Sequence, residues 1–159
     1  MPGLHKRRSN DGWHFPVPDG MFLVRSKQGL ICTFLEIDTG SMALKRVVEK
    51  LQRYWTWSQS ARSRDFIMDI YRKHGATNPQ PRFRIAIVCG DANQTQGDRR
   101  LNSLMRAADK FTRLRGNIAA WLTTTLAVRN VENVLAGSIW RRQMQNGMTS
   151  RTLSRFLHS

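Results

Sequence analysis

Three acidic residues offer the clearest chemistry in this chain. Asp19 sits between Pro18 and Gly20, and Glu36 and Asp38 stand two residues apart in Leu35-Glu36-Ile37-Asp38. The runs that hold them read as strands. Gly20-Met21-Phe22-Leu23-Val24-Arg25 is apolar and β-prone, and Leu30 to Asp38 is more so. Between them lies Ser26-Lys27-Gln28-Gly29, a turn signal with glycine where positive φ is most often needed. A turn closing symmetrically on these four residues puts Asp19 directly opposite Glu36. Opposed residues share a sheet face, with Cβ atoms about 5 Å apart. Asp38, two residues beyond Glu36, points the same way. Opposed carboxylates repel, so something positive must compensate. A hard divalent cation, Mg²⁺ or Mn²⁺, suits Asp19, Glu36 and Asp38, because such ions take one or two carboxylates and complete their shell with water and substrate phosphates. The competing reading is a register slipped by one residue, with the acids as solvated strand ends.

The charge balance narrows the partner. Lys and Arg outnumber Asp and Glu 26 to 11, for a formal charge of +15 on 159 residues. Such an excess is the electrostatic footprint of a protein that meets a polyanion, most often nucleic acid. An anionic membrane surface is the rival. No apolar run is long enough to span a bilayer, no lipidation motif is seen, and Met1 to Arg8 is basic without the following apolar core expected of a signal peptide. We therefore expect a cytoplasmic, nucleoid- or plasmid-associated protein with no membrane partner. Cys32 and Cys89 lie in apolar strand-like runs and read as buried reduced thiols. His5, His14, His74 and His158 are scattered, with none paired at metal-ligand spacing.

The elements that must position the acids follow from periodicity. A helix is predicted over 41–57, entered through the capping chemistry of Thr39-Gly40-Ser41, with Leu44, Val47, Val48, Leu51, Tyr54 and Trp55 on its apolar face. Lys45, Arg46 and Arg53 occupy its other faces and are candidate phosphate contacts, as are Arg141 and Arg142. A second helix is predicted over 62–74, stopped by Gly75. A doubly buried strand follows over 82–88, then a helix over 98–115 and a strand over 118–124. Strand, helix, strand with short links predicts a parallel crossover. Residues 126–134 suit a short helix, and the chain from Arg141 reads as a basic tail or marginal helix. Trp55 and Trp121 fall at core-like positions, whereas Trp13, Trp57 and Trp140 are open as core residues or stacking platforms. The expected architecture is α/β, a mixed sheet flanked by helices.

Pro18-Asp19 followed by Glu36-Ile37-Asp38 resembles the PD-(D/E)xK nuclease superfamily. The resemblance implies a restriction-endonuclease-like core in which Asp19 and Glu36 are metal ligands. Asp38 stands where that family usually has lysine. Some members carry the lysine on the following helix, and Lys45 or Lys50 can serve here, Lys50 by preference because it flanks the apolar seam. A closer resemblance joins Pro18-Asp19-Gly20, Leu35-Glu36-Ile37-Asp38-Thr39-Gly40-Ser41-Met42 and Lys50-Leu51-Gln52-Arg53-Tyr54 to bacterial replication-relaxation proteins of plasmids and mobile elements. Leu122-Thr123-Thr124 and Ile139-Trp140-Arg141 fit that family's closing segment, so the similarity runs from Trp13 to Arg142. Those proteins often carry an upstream winged-helix domain, so this chain would be the nuclease-like half alone.

The resemblances imply a flexible basic arm over 1–12, a nuclease-like domain over 13–142 and a basic tail over 143–159. They imply a metal-dependent deoxyribonuclease with Asp19, Glu36, Asp38 and Lys50 as catalytic residues. Its partners would be DNA and other replication or relaxation proteins, and a homodimer is compatible with both. A non-catalytic DNA-binding accessory protein on the same fold is the alternative, and a basic RNA-binding protein is the third reading.

Overall fold

The computed structural model describes residues 15–26, 29–77, 79–90, 94–115, 119–130, 140–144 and 147–151. The hairpin forms as the turn chemistry demands. Strands β1 (Gly20–Ser26) and β2 (Gly29–Asp38) pair antiparallel in the register Gly20↔Leu35 through Ser26↔Gly29. Gly29 takes φ +124°, a conformation L side chains rarely adopt. The symmetric register therefore holds, and the one-residue slip is excluded.

Helix α1 (Leu44–Ser58) starts three residues later than its sequence signal suggests. The hydroxyls of Thr39 and Ser41 bond each other at 2.8 Å rather than capping it. The Asp38 side chain takes the corner instead, accepting the N–H of Gly40, which turns at φ +81°. Helix α2 (Ala61–Lys73) is capped by Ser60, whose hydroxyl accepts from Ser63 N, and ends before Gly75 at φ +72°. Strand β3 (Phe83–Cys89), helix α3 (Gln94–Arg115), strand β4 (Ala119–Thr124) and the short helix α4 (Thr125–Arg129) follow.

Of the stretch expected to trail off as a basic tail or marginal helix, the described residues are β-structure, and 152–159 lie outside them. Strands β5 (Trp140–Met144) and β6 (Gly147–Arg151) pair with each other, and β5 joins β4 at Leu122↔Arg141. Arg141 and Arg142 thus lie on a strand. Trp140, Met144 and Met148 are too sparse among the Arg, Gln, Thr and Ser of this segment to give the regular alternation by which a half-buried strand announces itself. The arm 1–12, Trp13 and Ile139 lie outside the described residues.

The sheet is mixed, with strand order β1-β2-β3-β4-β5-β6. Strands β2, β3 and β4 run parallel, while the outer pairings are antiparallel. Two successive parallel crossovers stepping in one direction put their helices on the same face when both are right-handed. The core agrees: Val47, Leu51 and Tyr54 of α1, Ile67 and Tyr71 of α2, and Leu101, Leu104 and Met105 of α3 share one cluster with Phe34, Ile85, Ile87 and Leu122 of the sheet. Phe34 and Ile85 are register partners, as are Glu36 and Ile87. Glu36 therefore points toward the helices, into the layer that also holds the core. Trp121 is buried as expected, and Trp57 proves to be a core residue too, while Trp55 is only half-buried. Cys32 and Cys89 are buried thiols.

Candidate active site

The site begins with the hairpin. Register places Asp19 beside Glu36, and two hydrogen bonds hold the pair in place. Asp19 N donates to Leu35 O at 3.0 Å, and Ile37 N donates to Asp19 Oδ2 at 2.7 Å. Asp19 is exposed, whereas Glu36 is 6% exposed.

Helix α1 supplies the compensating groups. Its seam of Val47, Leu51, Tyr54 and Trp57 is buried against the sheet. Lys50 flanks that seam, and Tyr54 lies one turn further along, so the two side chains stand on one face. Both reach Glu36. Lys50 Nζ donates to Oε2, and the Tyr54 hydroxyl donates to Oε1. Lys50 Nζ also lies 4.0 Å from Asp19 Oδ2. One ammonium therefore faces two carboxylates, one on β2 and one on the residue that leads into β1. Lys45, Arg46 and Arg53 lie on the same helix, and none of them joins this cluster.

Burial dominates the electrostatics. It pushes the Glu36 carboxyl above its ordinary value of 4.5, outweighing the hydrogen bonds from Lys50 and Tyr54, which pull the other way. It also pushes the Tyr54 hydroxyl up, with Glu36 adding to the effect, so Tyr54 stays protonated and remains a donor. A cavity of about 20 Å³, enough for one water, opens among Glu36, Asp38, Lys50 and Tyr54 over an apolar floor that includes Leu51 and Ile87.

Asp38 does not join Asp19 and Glu36, contrary to the three-carboxylate expectation. Its side chain is 3% exposed and is gripped by Arg100 of α3, with Nε 2.7 Å from Oδ2 and an Nη 3.2 Å from Oδ1. The same guanidinium donates to the carbonyl of Met42. Gly90 N donates to the Asp38 carbonyl, and a Cβ on Gly90 would come within 3.0 Å of Thr39 Cα, so the ends of β2 and β3 close on each other there. The bond to Asp38 raises the Arg100 guanidinium above its ordinary value, ahead of the opposing effect of burial. Asp38 is thus the anchor of a corner that fixes where α1 begins. Among the described residues no three His, Cys, Asp or Glu side chains gather to hold a metal.

Tyr54 and Arg100 are the two site residues that sequence reasoning did not find. Tyr54 had a signal, the four-residue spacing from Lys50. Arg100 had a fainter one, since it precedes the buried Leu101 as Lys50 precedes the buried Leu51.

Residues 6–69 match the replication-relaxation family model. That match spans β1, β2, α1 and most of α2, and so contains Asp19, Glu36, Asp38, Lys50 and Tyr54. It covers less than half of the chain, and the late segments around Leu122 and Trp140 fall outside it. No curated protein and no solved structure matches the chain. Among the described residues no helix is long and apolar enough to cross a membrane.

Proposed function

We propose that this domain acts on DNA during the replication or mobilisation of plasmids and other mobile elements, and that it hydrolyses phosphodiester bonds at Asp19, Glu36 and Lys50. The observation that carries the reading is the convergence of these three side chains, from the two arms of a hairpin and a helix, onto one point. The order Asp, Glu, Lys is that of the resembled nucleases, with the lysine moved onto the helix. The similarity of residues 6–69 to replication-relaxation proteins and the charge of +15 supply the setting. Other replication or relaxation proteins are the further partners this setting suggests.

The donor set suits Mg²⁺ or Mn²⁺ with two carboxylates rather than three. Asp19 and Glu36 offer hard oxygens on one side of the sheet, and the two face one another across the hairpin. When bound, such an ion polarises a phosphate and lowers the pKa of a coordinated water. The chain's own residues do the rest. Asp19 and Glu36 would hold the ion, and Lys50, which is not a ligand, would neutralise charge building on the phosphate. Lys45, Arg46 and Arg53 on α1, with Arg141 and Arg142 on β5, bind backbone phosphates and read no sequence.

A second reading has its own support. Lys50 already bridges the two carboxylates, and Asp38 is already neutralised by Arg100. A self-neutralised cluster of this kind suits a DNA-binding accessory protein that does not cut. The test is cleavage of supercoiled plasmid and of branched and single-stranded oligonucleotides with Mg²⁺ or Mn²⁺, and with EDTA as control. Asp19→Ala and Glu36→Ala should each abolish cleavage and leave DNA binding intact or tighter, since a carboxylate beside phosphates repels them. Lys50→Ala should slow cleavage. Wild-type protein that binds these DNAs and cuts none establishes the accessory reading, and cleavage surviving Glu36→Ala puts the site elsewhere.

A further inference from the structure

We propose that Tyr54 is a positioning residue of this site: its hydroxyl fixes the orientation in which Glu36 presents its carboxylate to a divalent cation. The inference rests on the hydrolytic reading above and extends it to a residue that touches neither metal nor DNA.

Tyr54 is fully buried, and its ring cannot wander. It stacks on Phe34 with centroids 5.6 Å apart and planes at 28°, and it lies 6.2 Å from the Phe83 ring. A phenylalanine would fill that core space equally well. What tyrosine adds is one polar atom, and that atom donates to Glu36 Oε1. Lys50 takes the other oxygen, Oε2. Because Lys50 and Tyr54 are four residues apart on α1, the carboxylate is held at both oxygens by a single rigid element. Lys50 is partly exposed and has a flexible stem, so it can turn toward a phosphate when DNA arrives. Tyr54 cannot leave, so it is the group that keeps Glu36 aimed when Lys50 moves. Groups that orient a metal-bound carboxylate typically change metal affinity by about 10- to 100-fold when removed.

Two measurements without DNA test this. Mn²⁺ titrated calorimetrically into wild-type protein and Tyr54→Phe should show binding weakened by about 10- to 100-fold in the variant. The second measurement uses unaltered protein. The chain has two tyrosines, Tyr54 and Tyr71, so ¹³Cζ-labelled tyrosine gives two NMR signals, assigned through Tyr71→Phe. Saturation with Mg²⁺ should shift the Tyr54 signal and leave that of Tyr71 in place. Wild-type protein that binds Mn²⁺, with Tyr54→Phe binding it equally well or with the Tyr54 signal unmoved by Mg²⁺, overturns the role of Tyr54 alone. Wild-type protein that binds no Mn²⁺ overturns the hydrolytic reading along with it.

Discussion

Replacing Arg100 by methionine should reveal how much the Asp38 corner holds. Asp38 is 3% exposed and Arg100 20% exposed, and the guanidinium fork meets both carboxylate oxygens. Methionine retains the packing stem and removes the charge. Asp38 is then left in the interior with the Gly40 N–H as its remaining polar neighbour, and the Met42 carbonyl loses its donor. Breaking a buried pair from one side costs about 3–5 kcal/mol. That is a large share of the roughly 5–15 kcal/mol that holds a domain together. With a urea dependence of about 1–3 kcal/mol per molar, a loss of about 3 kcal/mol lowers the unfolding midpoint by roughly 1–3 M. The partner substitution supplies the control. Asp38→Asn combined with Arg100→Met removes both charges and should recover stability to within about 1 kcal/mol of wild type, because swapping a buried pair for neutral groups is often close to neutral. Equilibrium urea unfolding followed by tryptophan fluorescence measures all three proteins. A cost below about 1 kcal/mol for Arg100→Met, or a double variant no more stable than the single one, would refute the reasoning. The same double variant should keep DNA cleavage within a few-fold of wild type. Inactivity equal to that of Glu36→Ala would instead return Asp38 to the metal ligands.

Glu36→Gln should gain on wild type as pH rises, in EDTA. The Glu36 carboxyl titrates above 4.5 in the fold, so the native state keeps a proton that the unfolded chain has released, and wild-type stability falls as pH climbs from 4.5 through the folded value. Thermal unfolding across that window should show the advantage of glutamine absent at its acid end and largest at its basic end; a flat difference would mean that Glu36 is charged at no cost. Burial pushes the Cys32 thiol up to about 12, and Cys89 is equally inaccessible, so iodoacetamide at pH 8 should label neither in folded protein and both in urea, as read by mass spectrometry. Binding to duplex DNA should weaken steeply with salt, and Lys45→Ala, Arg46→Ala and Arg53→Ala together should shallow the log–log slope by about 0.9 for each phosphate they leave without a cation. An unchanged slope would remove α1 from the DNA surface.

The hairpin was legible because turn chemistry and alternation agree on one register, and that register alone put Asp19 beside Glu36. Lys50 was legible from its place beside the α1 seam. Tyr54 was read as a seam residue, because apolar periodicity counts the ring and ignores the hydroxyl. The partner of Asp38 was out of reach for a different reason. Arg100 lies 62 residues downstream, on a helix whose relation to β2 depends on the crossover through β3. Alternation alone added Asp38 to the metal group, since it shows which way a side chain points but not what it meets. Strands β5 and β6 were hidden because Trp140, Met144 and Met148 are too few among Arg, Gln, Thr and Ser to mark one apolar face.

A sheet whose strands lie in chain order can be assembled from one end. Every pairing joins consecutive strands, so no strand has to be threaded between two others already in place. During synthesis, at about 5–20 residues per second, the segment from Asp19 to Tyr54 leaves the ribosome with everything its acidic cluster requires. Arg100 follows on the order of seconds later. The cluster can therefore form before the corner that fixes α1 is locked, and α3 is added to a structure begun without it.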